Sequence, residues 1–277
     1  MSRILVAEDD PAYAELIRIV LGEAGHEVTS AADGVEALEQ LSKGRFDLLL
    51  TDVRMPRMDG LELLSKVRRL PFPPRLVVLT SDDTPETLLK AVSEQALRYA
   101  TKPTLPAQLV ELVNEVLAEP ADHPILVLSA RPHWVELLVP CERSAAERIQ
   151  AFLGRLDADL PQDVRDSVGY VFRELLLNAI EWGGRLDPKR QVRIAYLRAR
   201  RMLLYRIADP GPGFRIEDLP HAAISYPPDQ PTGHLAAREE KGLRPGGLGL
   251  LLASKMADEL LYNEARNEVV FVKYLPD

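Results

Sequence analysis

The chain has 277 residues, a net charge of −8 at neutral pH and one cysteine, Cys141. That length suits two domains of ordinary size, and a single cysteine excludes an intrachain disulfide and is typical of a reducing cytoplasm. No apolar run approaches the roughly 18 residues of a membrane span, and no basic patch is strong enough to predict nucleic-acid binding. We therefore expect a cytoplasmic protein whose partners are neither membranes nor nucleic acids.

Four apolar segments in the first 120 residues each lead into a polar side chain. The segments are residues 4–7, 48–50, 76–79 and a short one at Ala100, and the polar residues that follow them are Glu8, Asp9, Asp52, Thr80 and Lys102. In an open parallel sheet the carboxyl ends of the strands form the edge where ligands bind. The pattern predicts an α/β doubly wound parallel sheet with one polar site.

Three carboxylates would meet at that edge, which is costly unless a cation compensates for their charge. The arrangement resembles the receiver domain of two-component response regulators, a flavodoxin-like fold, across residues 1–120. The resemblance implies that Asp52 is the phosphoacceptor and that Glu8 and Asp9 hold Mg²⁺ together with it. Asp10, the next residue, is not expected to be a ligand.

The resemblance also implies a set of switch residues around the phosphoacceptor. Lys102 would bind a phosphoryl oxygen as a point charge, Thr80 would hydrogen-bond the phosphoryl group, and Tyr99 would reorient on activation. Ser81 is small and leaves phosphoryl access open. An alternative is a receiver that serves only for docking and is never phosphorylated.

The boundary between the domains is predicted at residues 119–124, after a helix over residues 105–117. This divides the chain into a receiver at 1–120 and a second domain at 121–277, joined by a short linker. In the second domain, strands are expected near residues 125–128, 134–139, 192–197, 202–208 and 269–274, and helices at 144–156 and 161–182. Helices over one face of a mostly antiparallel sheet make an α+β two-layer sandwich.

The predicted helix over residues 161–182 carries Glu174 and Asn178, four residues apart and therefore on one face. Its residues are strong helix formers, and Gly183 with Gly184 provides a stop signal. The amide oxygen of Asn178 suits Mg²⁺, which prefers oxygen ligands. A carboxylate one turn away can take a proton from an attacking hydroxyl group.

Two glycine-rich segments follow this helix. The strand over residues 203–208 ends at Asp209, and Gly211 and Gly213 beside it let the backbone approach a flat ligand closely. Gly246, Gly247 and Gly249 precede the apolar, helix-forming residues 250–260. Backbone N–H groups at a helix N-terminus form an anion site that suits triphosphate oxygens.

Residues 215–245, between these two segments, form a long proline-containing stretch without convincing periodicity. Loops of this length are usually lids or disordered segments. Arg244 is its candidate phosphate contact.

The order E-x-x-x-N, D-x-G-x-G and G-G-x-G-L resembles the ATP site of the GHKL (Bergerat) fold, and within it the anti-sigma-factor serine kinases. The resemblance implies that Glu174 is the catalytic base, that Asn178 holds the Mg²⁺ of ATP and that Asp209 accepts the adenine amino group. It also makes residues 215–245 the ATP lid.

The histidines lack the setting of a phosphoaccepting histidine on a dimerising hairpin, which argues against a self-contained hybrid histidine kinase. The leading interpretation is a phosphorylation-controlled signalling protein, in which phosphorylation of Asp52 regulates an ATP-binding domain. That domain would phosphorylate serine or threonine on a protein partner, antagonist-like or sigma-factor-like, or sequester it. Two alternatives stay open: a non-catalytic ATP-dependent binding switch, and a histidine-kinase-like domain acting in trans. An upstream histidine kinase or other phosphodonor is expected, and a homodimer is possible.

Overall fold

A computed structural model describes residues 1–81, 84–93, 98–102, 104–118, 125–131, 133–215 and 248–276. The chain divides into two compact units, Met1–Asp122 and His123–Asp277. The residues of the predicted linker, 119–124, lie outside the described part. None of the described helices is long and apolar enough to cross a membrane.

The first unit contains a parallel sheet with the strand order β2-β1-β3-β4-β5. The described strands are β1 (Arg3–Ala7), β2 (Glu27–Ala31), β3 (Leu48–Thr51), β4 (Arg75–Thr80) and β5 (Arg98–Thr101). The described helices are α1 (Pro11–Glu23), α2 (Gly34–Lys43), α3 (Gly60–Val67), α4 (Pro85–Ser93) and α5 (Pro106–Ala118). Order and direction are those of the predicted doubly wound, flavodoxin-like sheet.

Both faces of this sheet are covered by helices, which explains why consecutive residues within its central strands are apolar, as in residues 4–7 and 48–50. Ile4 and Val6 of β1 pack in a core with α1 and α5, whereas Leu5 and Ala7 pack in a second core with α2 and α3. The apolar run over residues 4–7 is therefore buried on alternate sides of the sheet.

Asp10 lies directly after the acidic pair of the first strand end, but its side chain has a local structural role. It is the N-cap of α1 and accepts hydrogen bonds from the N–H groups of Ala12 (2.9 Å) and Tyr13 (3.2 Å). A short polar side chain at this position satisfies N–H groups that have no partner inside the helix.

The second unit contains an antiparallel sheet with the strand order β10-β11-β9-β8-β7-β6. Its strands are β6 (Leu126–Arg131), β7 (Trp134–Pro140), β8 (Gln191–Ala199), β9 (Met202–Ala208), β10 (Glu259–Tyr262) and β11 (Glu268–Tyr274). The described helices are α6 (Arg143–Leu156), α7 (Gln162–Asn178) and α8 (Gly249–Met256), and a π-helical turn, Ala179–Gly183, extends α7.

Alternation along the strands turns one face of this sheet toward the helices. Tyr205 of β9 is 1% exposed and stacks on Phe271 of β11 at 4.7 Å between ring centroids, with Phe172 of α7 at 5.2 Å. Buried aromatic contacts of this kind dominate core energetics. The unit is the predicted α+β sandwich of helices on an antiparallel sheet.

A buried carboxylate, that of Asp157, lies behind this aromatic cluster. It is 2% exposed and accepts hydrogen bonds from the hydroxyl groups of Tyr196 and Tyr205, both at 2.7 Å. Burial raises the pKa of Asp157, and the two tyrosine hydrogen bonds oppose that rise. The network ties the end of α6 to two central strands.

The structure differs from the sequence expectation at two places in the second unit. The α-helical part of the helix expected over 161–182 ends at Asn178, because the chain continues as the π-helical turn. The helix expected over 250–260 ends at Met256, and the apolar residues Leu260 and Leu261 belong instead to β10, which pairs with β11. Apolar runs of this length fit a helix or a strand equally well, and pairing decides between them.

Candidate functional site

The carboxyl ends of β1 and β3 bring three carboxylates together. Glu8, Asp9 and Asp52 each offer an oxygen, and these oxygens all lie within 4.8 Å of one another. Glu8 is 3% exposed and Asp52 8%, whereas Asp9 is exposed. All the donor atoms are carboxylate oxygens, the ligands that Mg²⁺ prefers, so the residues fit the predicted cation.

Lys102 places its ammonium group between two of these carboxylates. Its Nζ lies 2.5 Å from Glu8 Oε2 and 2.8 Å from Asp52 Oδ2. Burial raises the pKa of Glu8 even though Lys102 opposes the rise. Burial lowers the pKa of Lys102, but the hydrogen bonds to Asp52 and Glu8 outweigh it and leave that pKa raised. The lysine is therefore a firmly charged cation in reach of the predicted phosphoacceptor.

Thr80 ends β4 at the same edge of the sheet. It is 1% exposed, and its carbonyl accepts a 2.9 Å hydrogen bond from the Lys102 N–H, which joins the ends of two strands. The side chain of Tyr99, the other predicted switch residue, lies outside the described part of the structure. Its strand position is opposite Val78.

Gly60 is a site residue that the sequence interpretation did not single out. A Cβ at this position would lie 1.9 Å from the backbone oxygen of Asp52. The Gly60 N–H also donates to the Val53 carbonyl at 2.9 Å. Only a glycine lets the start of α3 approach the loop of the phosphoacceptor so closely.

The second unit contains a cavity of about 450 Å³. Among the residues lining it are Glu174, Asn178, Asp209, Gly213 and Gly249. They come from α7, the end of β9 and the start of α8, so the three predicted glycine-rich or polar motifs meet around one space. Glu174 and Asn178 share the face of α7 that lines it.

Asp209 lines the cavity and is held by its own loop. Its Oδ1 accepts a hydrogen bond from the Gly211 N–H at 2.7 Å, and its own N–H donates to the Asn267 carbonyl at 2.8 Å. Burial raises the pKa of Asp209, with the Gly211 hydrogen bond opposing. Within the described part of the chain, Oδ2 of Asp209 accepts no hydrogen bond and is therefore open to a donor on a ligand.

Gly183, predicted only as a helix stop, lines the cavity beside Asp209. A Cβ on Gly183 would lie 2.2 Å from Asp209 Cγ and Oδ1. The neighbouring Gly184 approaches Cys141 in the same way, since its Cβ would lie 2.1 Å from the sulfur. Burial raises the pKa of Cys141 to about 11, so this thiol is a packing group.

The turn between β10 and β11 supports the Asp209 loop, and no sequence signal pointed to it. Gly213 has a φ of 83°, and a Cβ there would lie 1.7 Å from the Ala265 oxygen. Phe214 N–H donates to that same oxygen at 3.2 Å, and Asn267 Nδ2 donates to the Gly211 carbonyl at 3.0 Å. The glycines of D-x-G-x-G thus allow this loop to pack against a distant hairpin.

Glu174 and the first residue of α8, Gly249, lie close together in the lining of the cavity. A Cβ on Gly249 would lie 2.0 Å from Glu174 Oε2. Three predicted contacts, Arg244, Gly246 and Gly247, lie outside the described residues, as does most of the predicted lid.

Comparison with protein-family models gives two matches along the chain. Residues 4–114 match the response regulator receiver domain, and residues 141–273 match the histidine kinase-like ATPase domain. The DNA-binding response regulator MtrA of Mycolicibacterium smegmatis is 33% identical over 184 residues, which cover 66% of this chain and 79% of that protein. The chain belongs to the response-regulator family.

Other similarities concern the receiver part of this response regulator. An uncharacterised 14.6 kDa protein of Leptolyngbya boryana is 40% identical over 122 residues, 43% of this chain and 93% of that protein. The structure of the chemotaxis response regulator CheY4 of Vibrio cholerae is 34% identical, with a TM-score of 0.40, and the match covers 42% of this chain and 98% of that one.

The response regulator thus joins a receiver domain to a histidine kinase-like ATPase domain. This combination places the protein in phosphorylation-based signalling and makes its second domain an ATP-binding domain. The cavity between Asp209 and Glu174 lies within the residues matched to that ATPase domain.

Proposed function

We propose that the ATPase domain of this response regulator acts on a protein partner in an ATP-dependent manner, and that the receiver domain regulates this activity. Phosphorylation of Asp52 would regulate the ATPase domain, which phosphorylates serine or threonine on the partner, or sequesters it. The observation that supports this proposal is the cavity wall of α7, where Glu174 and Asn178 lie one turn apart in the same space as Asp209.

In this proposal, different residues of the cavity bind different parts of the nucleotide. The free oxygen of Asp209 accepts a hydrogen bond from the adenine amino group, and the amide oxygen of Asn178 holds the Mg²⁺ of the nucleotide. A bound Mg²⁺ neutralises phosphate charge. The phosphates lie near Gly249 in this proposal, because the N–H groups at the start of α8 attract anions.

Glu174 acts as the base in the proposed transfer. The partner's hydroxyl oxygen forms a bond to the γ-phosphorus, the bond from that phosphorus to the bridging oxygen breaks, and ADP leaves with the electron pair. The hydroxyl proton passes to the Glu174 carboxylate. A site that only binds nucleotide has no need of a base here, so Glu174 favours the kinase over the non-catalytic switch.

In the receiver, a carboxylate oxygen of Asp52 attacks the phosphorus of the donor, a histidine kinase or a small acyl phosphate, and the donor's leaving group departs. Glu8 and Asp9 hold the cation with Asp52, and Lys102 pairs with the new phosphoryl oxygens. Thr80, at the neighbouring strand end, hydrogen-bonds the phosphoryl group. Lys102 must then give up part of its contact with Glu8 or Asp52.

The kinase proposal is tested with the full chain and a partner captured in the presence of Mg²⁺-ATP. Glu174→Ala is expected to retain nucleotide binding and to lose phosphoryl transfer about a hundredfold or more, as for removal of a general base. Asn178→Ala should weaken the Mg²⁺-dependent part of ATP binding. Mass spectrometry of the partner identifies the modified residue.

The outcomes separate the three functions. Phosphoserine or phosphothreonine that disappears with Glu174→Ala supports the proposal. Phosphohistidine identifies a histidine-kinase-like domain acting in trans, and ATP-dependent partner binding without any transfer identifies the binding switch. Wild-type protein that binds no ATP in calorimetry contradicts all three.

Control by the receiver is tested by measuring ATP affinity, partner affinity and transfer with and without beryllofluoride, which mimics the acyl phosphate. A receiver with two states biases its neighbour only through contacts that differ between the states. We expect at least one of the three quantities to change. Identical values in both conditions would show that the two domains are only tethered.

A further inference from the structure

Arg190 lies directly before β8, and its side chain reaches the loop that carries Asp209. Its Nη2 donates a hydrogen bond to the Pro210 carbonyl at 2.5 Å. The backbone of Arg190 is fixed on both sides, because its N–H donates to the Asp187 carbonyl at 2.9 Å and its carbonyl accepts from the Cys141 N–H at 3.0 Å. The guanidinium group therefore extends from a well-held point of the chain to the residue that follows Asp209.

The pairing of β8 with β9 ends just before this contact. The last pair of the ladder at this end is Arg193 with Ala208. Pro210 has no N–H group with which a ladder could continue. Beyond the last pair, the side chain of Arg190 links the chain before β8 to the chain after β9.

The Asp209 loop is held on another side by the turn between β10 and β11. The Asn267 carbonyl accepts from the Asp209 N–H at 2.8 Å, and Asn267 Nδ2 donates to the Gly211 carbonyl at 3.0 Å. Asp209, Pro210 and Gly211 thus each have a backbone hydrogen bond to a distant part of the chain. Of these three contacts, the one made by Arg190 brings a positive charge.

That charge acts on the Asp209 carboxylate as well as on the loop. Burial raises the pKa of Asp209, and the Gly211 hydrogen bond and the charge of Arg190 both oppose the rise. A nearby opposite charge favours the ionised carboxylate, which is the form that only accepts hydrogen bonds. The contact and the charge of Arg190 therefore favour the same state of Asp209, fixed in place and able to accept.

We propose that Arg190 is a positioning residue for adenine recognition, which holds the Asp209 loop and favours the accepting form of the Asp209 carboxylate. This inference rests on the proposed function, in which Asp209 accepts a hydrogen bond from the adenine amino group. Arg190 acts through Asp209 and does not itself contact the nucleotide. Its effect is therefore confined to nucleotides that carry the amino group.

The proposal is tested in the full chain with two nucleotides, Mg²⁺-ATP and the Mg²⁺ complex of purine riboside triphosphate, which lacks the 6-amino group. Calorimetry gives the ratio of the two affinities for each protein. Arg190→Gln should lower the preference for ATP about fivefold, the effect expected when one hydrogen bond is weakened, and leave the affinity for purine riboside triphosphate unchanged. Arg190→Lys keeps a charged donor, and its ratio should lie closer to that of the wild type.

Arg193→Gln is the matched control, since Arg193 is also on β8 but pairs with Glu136 of β7 at 2.6 Å. Its ratio should stay at the wild-type value. Asp209→Ala removes the carboxylate, and in that background Arg190→Gln should change the ratio no further, because its effect passes through Asp209. An equal drop in both backgrounds would mean that Arg190 acts by another route, and the proposal would be wrong.

The remaining outcomes separate this inference from the proposed function. Equal loss of affinity for both nucleotides in Arg190→Gln would show a structural role without a link to adenine, and unchanged affinity for both would show no role. Either result overturns the inference, as does an Arg190→Lys ratio no higher than that of Arg190→Gln. A wild type that binds both triphosphates equally contradicts the adenine contact of Asp209, and one that binds neither contradicts the ATP site itself.

Discussion

The two candidate sites of this chain both contain carboxylates but are built in different ways. In the receiver, the side chains of neighbouring strand ends already touch: Lys102 Nζ lies 2.8 Å from Asp52 and 2.5 Å from Glu8. In the ATPase domain, Asp209 and Glu174 line an open cavity of about 450 Å³ and have no hydrogen bond to each other. In the first site the side chains are in direct contact without a ligand, and in the second they surround an open space.

The difference follows from the sheets that carry them. Parallel strands end at one edge, so residues that directly follow those strands converge without further help. The cavity of the ATPase domain lies between a helix, a strand end, a hairpin turn and a second helix. Its shape therefore depends on close backbone contacts, such as those of Gly183 with Asp209 and of Gly213 with Ala265.

The largest expected effect concerns the compact site. Asp52→Ala should abolish Mg²⁺-dependent phosphorylation by acetyl phosphate, because no other carboxylate of the cluster stands at the end of β3. Phosphoprotein gel shift measures the loss. Asp10→Asn is the control: Asn preserves the cap of α1, and phosphorylation should persist. A phosphorylated Asp52→Ala protein would show that the phosphoacceptor is elsewhere.

The cavity should respond instead to a single methyl group. Gly183→Ala places a Cβ 2.2 Å from the Asp209 carboxyl group and should lower ATP affinity about thirtyfold, the worth of one hydrogen bond to a charged group. Calorimetry with Mg²⁺-ATP measures it. Gly169→Ala in α7 is the matched control, since a Cβ there meets nothing within 4 Å.

Gly169→Ala should keep ATP affinity and raise the free energy of unfolding by about 0.5–1 kcal/mol through helix propensity. Equal ATP binding by Gly183→Ala and the wild type would show that ATP binding does not depend on the position of the Asp209 carboxylate beside Gly183.

The smallest effect compares two buried carboxylates, Glu8 and Asp157. Glu8 has the ammonium group of Lys102, whereas Asp157 has two neutral tyrosine donors, and burial raises the pKa of Asp157 above its ordinary 3.8. The folded state therefore binds this proton more readily than the unfolded state. That contribution to stability is present below 3.8 and is lost as the pH rises through the folded-state pKa.

Asp157→Asn should remove this pH dependence. The free energy of unfolding of the wild type, relative to the variant, should increase as the pH is lowered from 7 toward 4, by about 1.4 kcal/mol for each pH unit by which the folded-state pKa exceeds the unfolded-state pKa. Both tryptophans, Trp134 and Trp182, lie in the second unit, so urea unfolding followed by fluorescence reports on it. Parallel pH profiles would contradict the prediction.

Several features of this protein followed from the sequence alone. Each apolar strand of the receiver ends at a polar residue, so local pattern plus parallel topology predicted that Glu8, Asp52 and Lys102 meet. The spacing of Glu174 and Asn178 placed both on one helix face, because the helical period fixes the neighbours of each residue. Both fold classes were predicted in this way, since strand and helix periodicity are local properties.

Only the tertiary structure determined how the wall of this cavity is formed. Gly183 was predicted only as a helix stop, yet the absence of its side chain makes room for Asp209, which directly follows β9. The strand Glu259–Tyr262 and the turn that follows it were not predicted, because pairing with β11 outweighed a helix-forming pattern. Sequence patterns indicate on which face of its own helix or strand a side chain lies. The distance between two backbones far apart in the chain is set by packing, and only the folded chain contains that information.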